Sequence, residues 1–212
     1  MTDYIWEKRR KRRKISPTRT LQQASSSYRD TGLILEQKPG WIKRKRGERE
    51  RMTGDPTGRD NLFLFQGRWY PITQGFACTV TDDLVTYTTP AELKVMLSTL
   101  LRAEAEEQIR RHTPALGCSV KSICIRTQRS RWGSCSGEGT LNFNLALMAL
   151  PLPLRTYILL HEMVHLVERN HRPKFWERLE TLCPEYRMHR NELKKYGDII
   201  ERNTIWRVLR DG

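Results

Sequence analysis

Three of the chain's five histidines, His161, His165 and His171, fall within eleven residues. Between the first two lies Glu162, in the string His161-Glu162-Met163-Val164-His165. Positions four apart sit about 40° apart around a helix of 3.6 residues per turn, so both imidazoles leave one face. That spacing brings two ring nitrogens to one metal ion at about 2.0–2.1 Å. Glu162 falls on a neighbouring face, where a carboxylate reaches a metal-activated water without taking a coordination position. This is the HExxH arrangement, in which the Glu is the general base. A catalytic zinc commonly has three protein ligands and one open position. His171 supplies the third if the helix stops near Asn170 and the chain turns back. Left without partners in a core, two imidazoles and a carboxyl would cost on the order of several kcal/mol, and a bound metal removes most of that.

The element carrying these residues is the most apolar part of the chain. Leu154 to Arg169 has Tyr157, Ile158, Leu159, Leu160, Met163, Val164, Leu166 and Val167, nearly all round, which predicts a buried helix. A long helix from Thr89 to about His112 precedes it. Thr89 is its cap, Pro90 suits its first turn, Glu92 completes a capping box, and Leu93, Met96, Leu97, Leu100 and Leu101 recur at helical spacing. Between the two helices, 119–126 and 139–144 read as strands. Upstream, 62–65 and 68–70 flank Gln66-Gly67 as a hairpin, and 76–80 and 84–87 flank Asp82-Asp83. After His171, Pro173 opens a helix with Phe175, Trp176, Leu179 and Leu182, expected as core residues. A further helix from Tyr186 stops at Gly197.

Larger motifs surround the histidines. Arg131-Trp132-Gly133-Ser134-Cys135-Ser136 is followed by Leu141-Asn142-Phe143-Asn144, and Asn170-His171 by Phe175-Trp176. In their order and spacing these segments, from about Leu93 to Tyr196, resemble the YgjP-like metallopeptidase family, relatives of the SprT-like zincins. Gln66-Gly67-Arg68-Trp69-Tyr70 resembles the family's strand before the long helix, whereas the first 60 residues match weakly. Arg172 departs from the small polar residue usual after the third His. The resemblance implies an α+β, zincin-like metallohydrolase domain with a small antiparallel sheet and a buried HExxH helix. It also implies one zinc per chain, held by His161, His165 and His171. Metzincin membership is excluded, because Glu168 stands where that family has Gly.

Other residues have two readings each. Arg131, Trp132, Asn142 and Asn144 are candidate substrate contacts, with the strand of Asn142 and Asn144 a candidate edge for an extended peptide. Arg126, Arg129 and Arg131 could hold phosphate or carboxylate, or form a solvated loop. Cys135 could serve as a soft metal ligand or remain a buried thiol. His189 is expected in a surface or packing role.

The bulk properties divide the chain. Of a net charge of +14, residues 1–60 contribute +9, from 17 Lys and Arg against 8 Asp and Glu, and Lys8 to Lys14 is an unbroken basic run. This stretch is expected to be a basic N-terminal extension with a short basic helix at Trp41 to Met52. Residues 61–197 are expected to form the metallohydrolase domain, and 198–212 a C-terminal tail. With no apolar run long enough for a membrane, no secretory leader and five unpaired-looking cysteines, the protein is expected in the cytoplasm. The favoured activity is hydrolysis of a peptide or protein by a zinc-activated water, with Glu162 as general base. A nucleotide phosphoanhydride hydrolase is the first alternative. The second is a polyanion-binding protein with structural zinc, in which the basic region binds nucleotide or nucleic acid.

Overall fold

The computed structural model describes residues 61–211. The helix expected at Trp41 to Met52 lies outside them. A hairpin comes first, from β1 (Leu62–Phe65) and β2 (Arg68–Gln74). Its two-residue turn, Gln66-Gly67, has φ of 51° and 78°, the positive pair that suits the right-handed twist of a hairpin. The turn is also stitched to the chain just ahead of the histidine helix. Gln66 N–H donates to the Met148 carbonyl at 2.7 Å and Gly67 N–H to that of Ala149 at 2.8 Å. A Cβ on Gly67 would stand 2.9 Å from Pro151 Cβ, so the glycine allows both the turn and this approach.

β3 (Thr79–Val80) and β4 (Val85–Tyr87) complete a first sheet of order β1-β2-β4-β3, with β2 and β4 parallel. α1 (Pro90–Leu116) follows, capped by the Thr89 side chain, which accepts from Glu92 N–H. It buries Leu93, Leu97, Leu101 and Ala105 and ends at Gly117, whose φ of 63° is left-handed. It outruns the expected end at His112 by one turn, which contains Pro114.

The second sheet holds β5 (Ser122–Arg126), β6 (Gly133–Cys135) and β7 (Thr140–Asn144), in the order β5-β7-β6. β5 and β7 run parallel, β6 and β7 antiparallel. The small antiparallel sheet of the sequence reading is therefore corrected to two mixed sheets. The connection from β5 to β7 carries β6 as a third strand, so β7 can run parallel to one neighbour and antiparallel to the other.

A 3₁₀ turn, Leu145–Ala149, leads into α2 (Leu152–Val164). α2 is buried on nearly every face, as expected, but shorter: the chain leaves the helix at His165 instead of Arg169. Arg155 anchors it to α1 with two bonds to Glu104, at 2.9 and 3.1 Å, and a third to the Leu150 carbonyl. With this guanidinium 4% exposed, the pair fixes the helices' register, since neither charge can be left alone there.

α3 (Pro173–Leu182), α4 (Tyr186–Leu193), α5 (Tyr196–Arg202) and α6 (Thr204–Asp211) close the structure. The expected tail from 198 is instead helical and packed. Gly197 lies within α5, buried, and the Trp206 ring stacks on Phe63 at 5.2 Å. Trp206 Nε1 donates to the Leu64 carbonyl and Asn203 Nδ2 to that of Leu62, both at 2.8 Å, so side chains cover the outer edge of β1. Among the described residues no helix is long and apolar enough to cross a membrane.

Candidate metal centre

α2 delivers His161 and Glu162 from its last turn, and His165 is its C-terminal cap residue. The chain then turns through Asn170 and returns, so that His171 stands just ahead of α3. Arg169 braces this loop, donating to the carbonyls of Ser136 and Gly137 at 3.2 and 2.6 Å. The Glu168 carboxylate pairs with Arg178 of α3.

The three imidazoles converge. A ligand nitrogen from each lies within 4.8 Å of the other two. His161 Nε2 and His171 Nε2 are 3.0 Å apart. Tetrahedral ligands about 2.0–2.1 Å from one ion stand about 3.3 Å from each other. His165 Nδ1 is 3.0 Å from the Glu168 carbonyl, which can only accept. That bond fixes the proton on Nδ1 and leaves Nε2 as the ligand atom, as metal-binding histidines are commonly arranged. His161 is 3% exposed. Burial first, and then its two neighbouring histidines, hold its pKa well below the usual value, so it is neutral and ready to ligate. The residues present thus fit a single metal ion with three imidazole ligands. Cys135 does not join them: its Sγ turns to the Ser136 carbonyl at 3.5 Å, and burial raises its pKa.

Glu162 is 3% exposed. Burial pushes its carboxyl up to about 8, opposed in part by the positive charge of Arg131. β6 packs directly on this side chain. A Cβ on Gly133 would stand 2.7 Å from Glu162 Cγ and 2.9 Å from Oε1, so only glycine leaves the carboxyl its place. The signal for this contact was present in the sequence as a glycine inside Arg131-Trp132-Gly133-Ser134-Cys135. β6 itself had not been expected as a strand.

The other candidate contacts turn out to be engaged within the protein. Asn142 accepts from Arg126 Nε at 2.9 Å and donates to Ser134 Oγ at 3.3 Å. Asn144 is buried, donating to the carbonyls of Gln128 and Arg131 and accepting from Ala146 N–H. Their strand, β7, is central. The strand with an open side next to Glu162 is β6, which has no second strand neighbour among the described residues. Trp132 is in the core, 4% exposed. Arg129 pairs with Asp211 at 3.1 Å. Of the three arginines once grouped as an anion site, Arg131 alone acts electrostatically on Glu162. His189 is buried against Tyr157, with ring centroids 6.3 Å apart.

Three convergent imidazoles with a buried glutamate beside them, in a mixed α+β chain, form a candidate metal centre. The chain belongs to the YgjP-like metallopeptidase family: the family model "YgjP-like, metallopeptidase domain" matches residues 25–196. The match begins well upstream of residue 61, inside the basic extension. No curated protein matches significantly. Among solved structures, the chain is similar to the metallopeptidase zymogen of Pyrococcus abyssi abylysin. Identity there is 23% and the TM-score 0.40, over 43% of this chain and 93% of that one.

Proposed function

We propose that this protein is a zinc-dependent peptidase with a zincin-like domain, in which His161, His165 and His171 hold one zinc and Glu162 is the general base. The observation that carries this reading is the placement of Glu162 and three convergent imidazoles at one end of α2. When bound, zinc supplies Lewis acidity, which polarises a carbonyl and makes a water acidic near neutral pH. Glu162, raised by burial, would be held in its ionised form by a positive charge on the neighbouring histidines' site. The Glu162 carboxylate then takes the proton of the attacking water and hands it to the leaving amine nitrogen. The open side of β6 offers backbone groups to an extended peptide next to that carboxylate. Arg131, just ahead of this strand, is a candidate substrate-side residue, and Trp132 packs in the core beneath it. Five free thiols suit a reducing compartment such as the cytoplasm.

The test uses zinc-loaded full-length protein and a panel of peptides and casein-like unfolded substrates. Glu162→Gln keeps size and removes the base. It should retain zinc and lose turnover by about 10²–10⁴-fold. His161→Ala, His165→Ala and His171→Ala should each lower zinc content below the roughly one ion per chain expected of the parent. Unchanged turnover in zinc-loaded Glu162→Gln would exclude the base assignment.

A further inference from the structure

His161 lies in the last turn of α2, a helix buried on nearly every face, and His165 is its C-terminal cap residue. His171 lies instead in the loop between two helices. A ligand on a loop must be ordered when the ion binds unless something orders it beforehand, and prior ordering strengthens binding. Two aromatic residues at the start of α3 stand against it. Phe175, fully buried, has its ring 4.5 Å from that of His171, 4.6 Å from His165 and 4.9 Å from His161. It is a common apolar floor beneath all three and does not distinguish the third.

Trp176 meets His161 only edge-on, with centroids 6.2 Å apart, and engages His171 in two ways. Its Nε1–H donates to the His171 backbone carbonyl at 3.1 Å. Its ring is stacked on the His171 imidazole, with centroids 5.4 Å apart and planes 27° apart. The hydrogen bond fixes the main chain of the loop, and the stack fixes the plane of the ring. Trp176 is fixed in turn from α4. Tyr186 stacks on it at 5.4 Å and 18°, and the Arg190 guanidinium lies 5.1 Å from its ring centroid. The column Tyr186–Trp176–His171 therefore ties the loop to two helices outside α2.

We propose that Trp176 is a positioning residue for the metal centre. It acts through His171, holding main chain and imidazole in the binding geometry before the ion arrives. The inference rests on the reading of His171 as a ligand.

Zinc affinity of the full chain, measured by competition with a chromophoric chelator, tests it, together with the visible absorption of the cobalt-substituted protein. Trp176→Phe keeps an aromatic ring and removes the N–H donor. It should weaken zinc binding about 10–100-fold, the range found when partners of metal ligands are lost. It should also shift or broaden the cobalt bands, while the circular dichroism and melting of the chelator-stripped protein stay those of the parent. Replacement by benzothienylalanine, which keeps the bicyclic ring and lacks the donor, should do the same more mildly. It decides the matter if Trp176→Phe does not fold. Parent-like zinc affinity and cobalt bands in a folded variant would overturn the proposal. His171→Ala separates this failure from the other: parent-like zinc binding there removes the ligand itself, whatever Trp176 does.

Discussion

At the scale of single residues, Glu162 shows how burial and function oppose each other. Its carboxyl sits at about 8 because water is excluded from it, above the 4.5 of an exposed glutamate. A carboxyl whose folded pKa is raised binds protons better in the native than in the unfolded chain. Native stability is then lost as pH rises from the unfolded pKa toward the folded one. His161 and His189 work in the opposite sense, since burial holds both below the histidine reference value of 6.5, and their contribution to stability grows as pH rises toward 6.5. Cys118 and Cys135 are raised from 9.0 and act above that value. Among the described residues, Glu162 is the carboxyl raised furthest into the window from 6.5 to about 8. In chelator-stripped protein, stability should fall across that window, by at most about 1.4 kcal/mol per pH unit for one proton. The Glu162→Gln protein should lose that fall and keep only the slight rise from the buried histidines near 6.5. Urea melts at half-unit pH steps check this, and equal slopes in the two proteins would contradict the assignment.

At the scale of elements, the centre is a contact between a strand and a helix. β6 is three residues long, yet it presses on Glu162 closely enough that a single methyl group would collide with it. In Gly133→Ala, the glutamate side chain or the strand must move. Overpacking of this kind costs about 1–3 kcal/mol of stability. Misplacing a reacting group by about 1 Å costs up to about 10²-fold in rate. The variant is expected to keep its metal, because the clash falls on Glu162, and to lose turnover by about 10–10²-fold. Turnover equal to the parent at equal metal content would show that the carboxyl tolerates displacement. This contact also marks the limit of what the sequence disclosed. The histidine helix, the capped α1 and the Gln66-Gly67 hairpin were legible because each has a local pattern: apolar periodicity, a cap, a two-residue turn. β6 has none. Gly133-Ser134-Cys135 is too short to alternate and begins with a residue that weakens strands, so its strand state comes from pairing with β7. The early end of α2 was likewise set by a tertiary demand, the return of His171. The core role of α6 was hidden because Gly197, a natural stop signal, is buried inside α5.

At the scale of the whole molecule, charge and fold are distributed unequally. Many basic side chains of the described region already have acidic partners: Lys121 with Glu138, Arg155 with Glu104, Arg178 with Glu168, Arg187 with Glu180, and Arg210 with Glu201. The exposed ones among these add little stability, but all of them reduce the positive field that a polyanion meets. By sequence, the larger share of the net charge falls on residues 1–60, at +9 of +14, and it includes the seven consecutive basic residues Lys8 to Lys14. No base-reading motif occurs among those 60 residues, so attraction to nucleic acid should depend on charge and not on base sequence. On duplex DNA each neutralised phosphate contributes about 0.9 to the slope of log affinity against log salt. Replacing Lys8 to Lys14 with Gln and Ser should flatten that slope by about 3 or more, equally for unrelated DNA sequences. Zinc content and hydrolysis of a small peptide should be unchanged, because the ligands and the base all belong to residues 161–171. Affinity measured from low to physiological salt decides the matter. Absence of binding at low salt, or a slope indifferent to the substitutions, would remove any role for this stretch in holding polyanions.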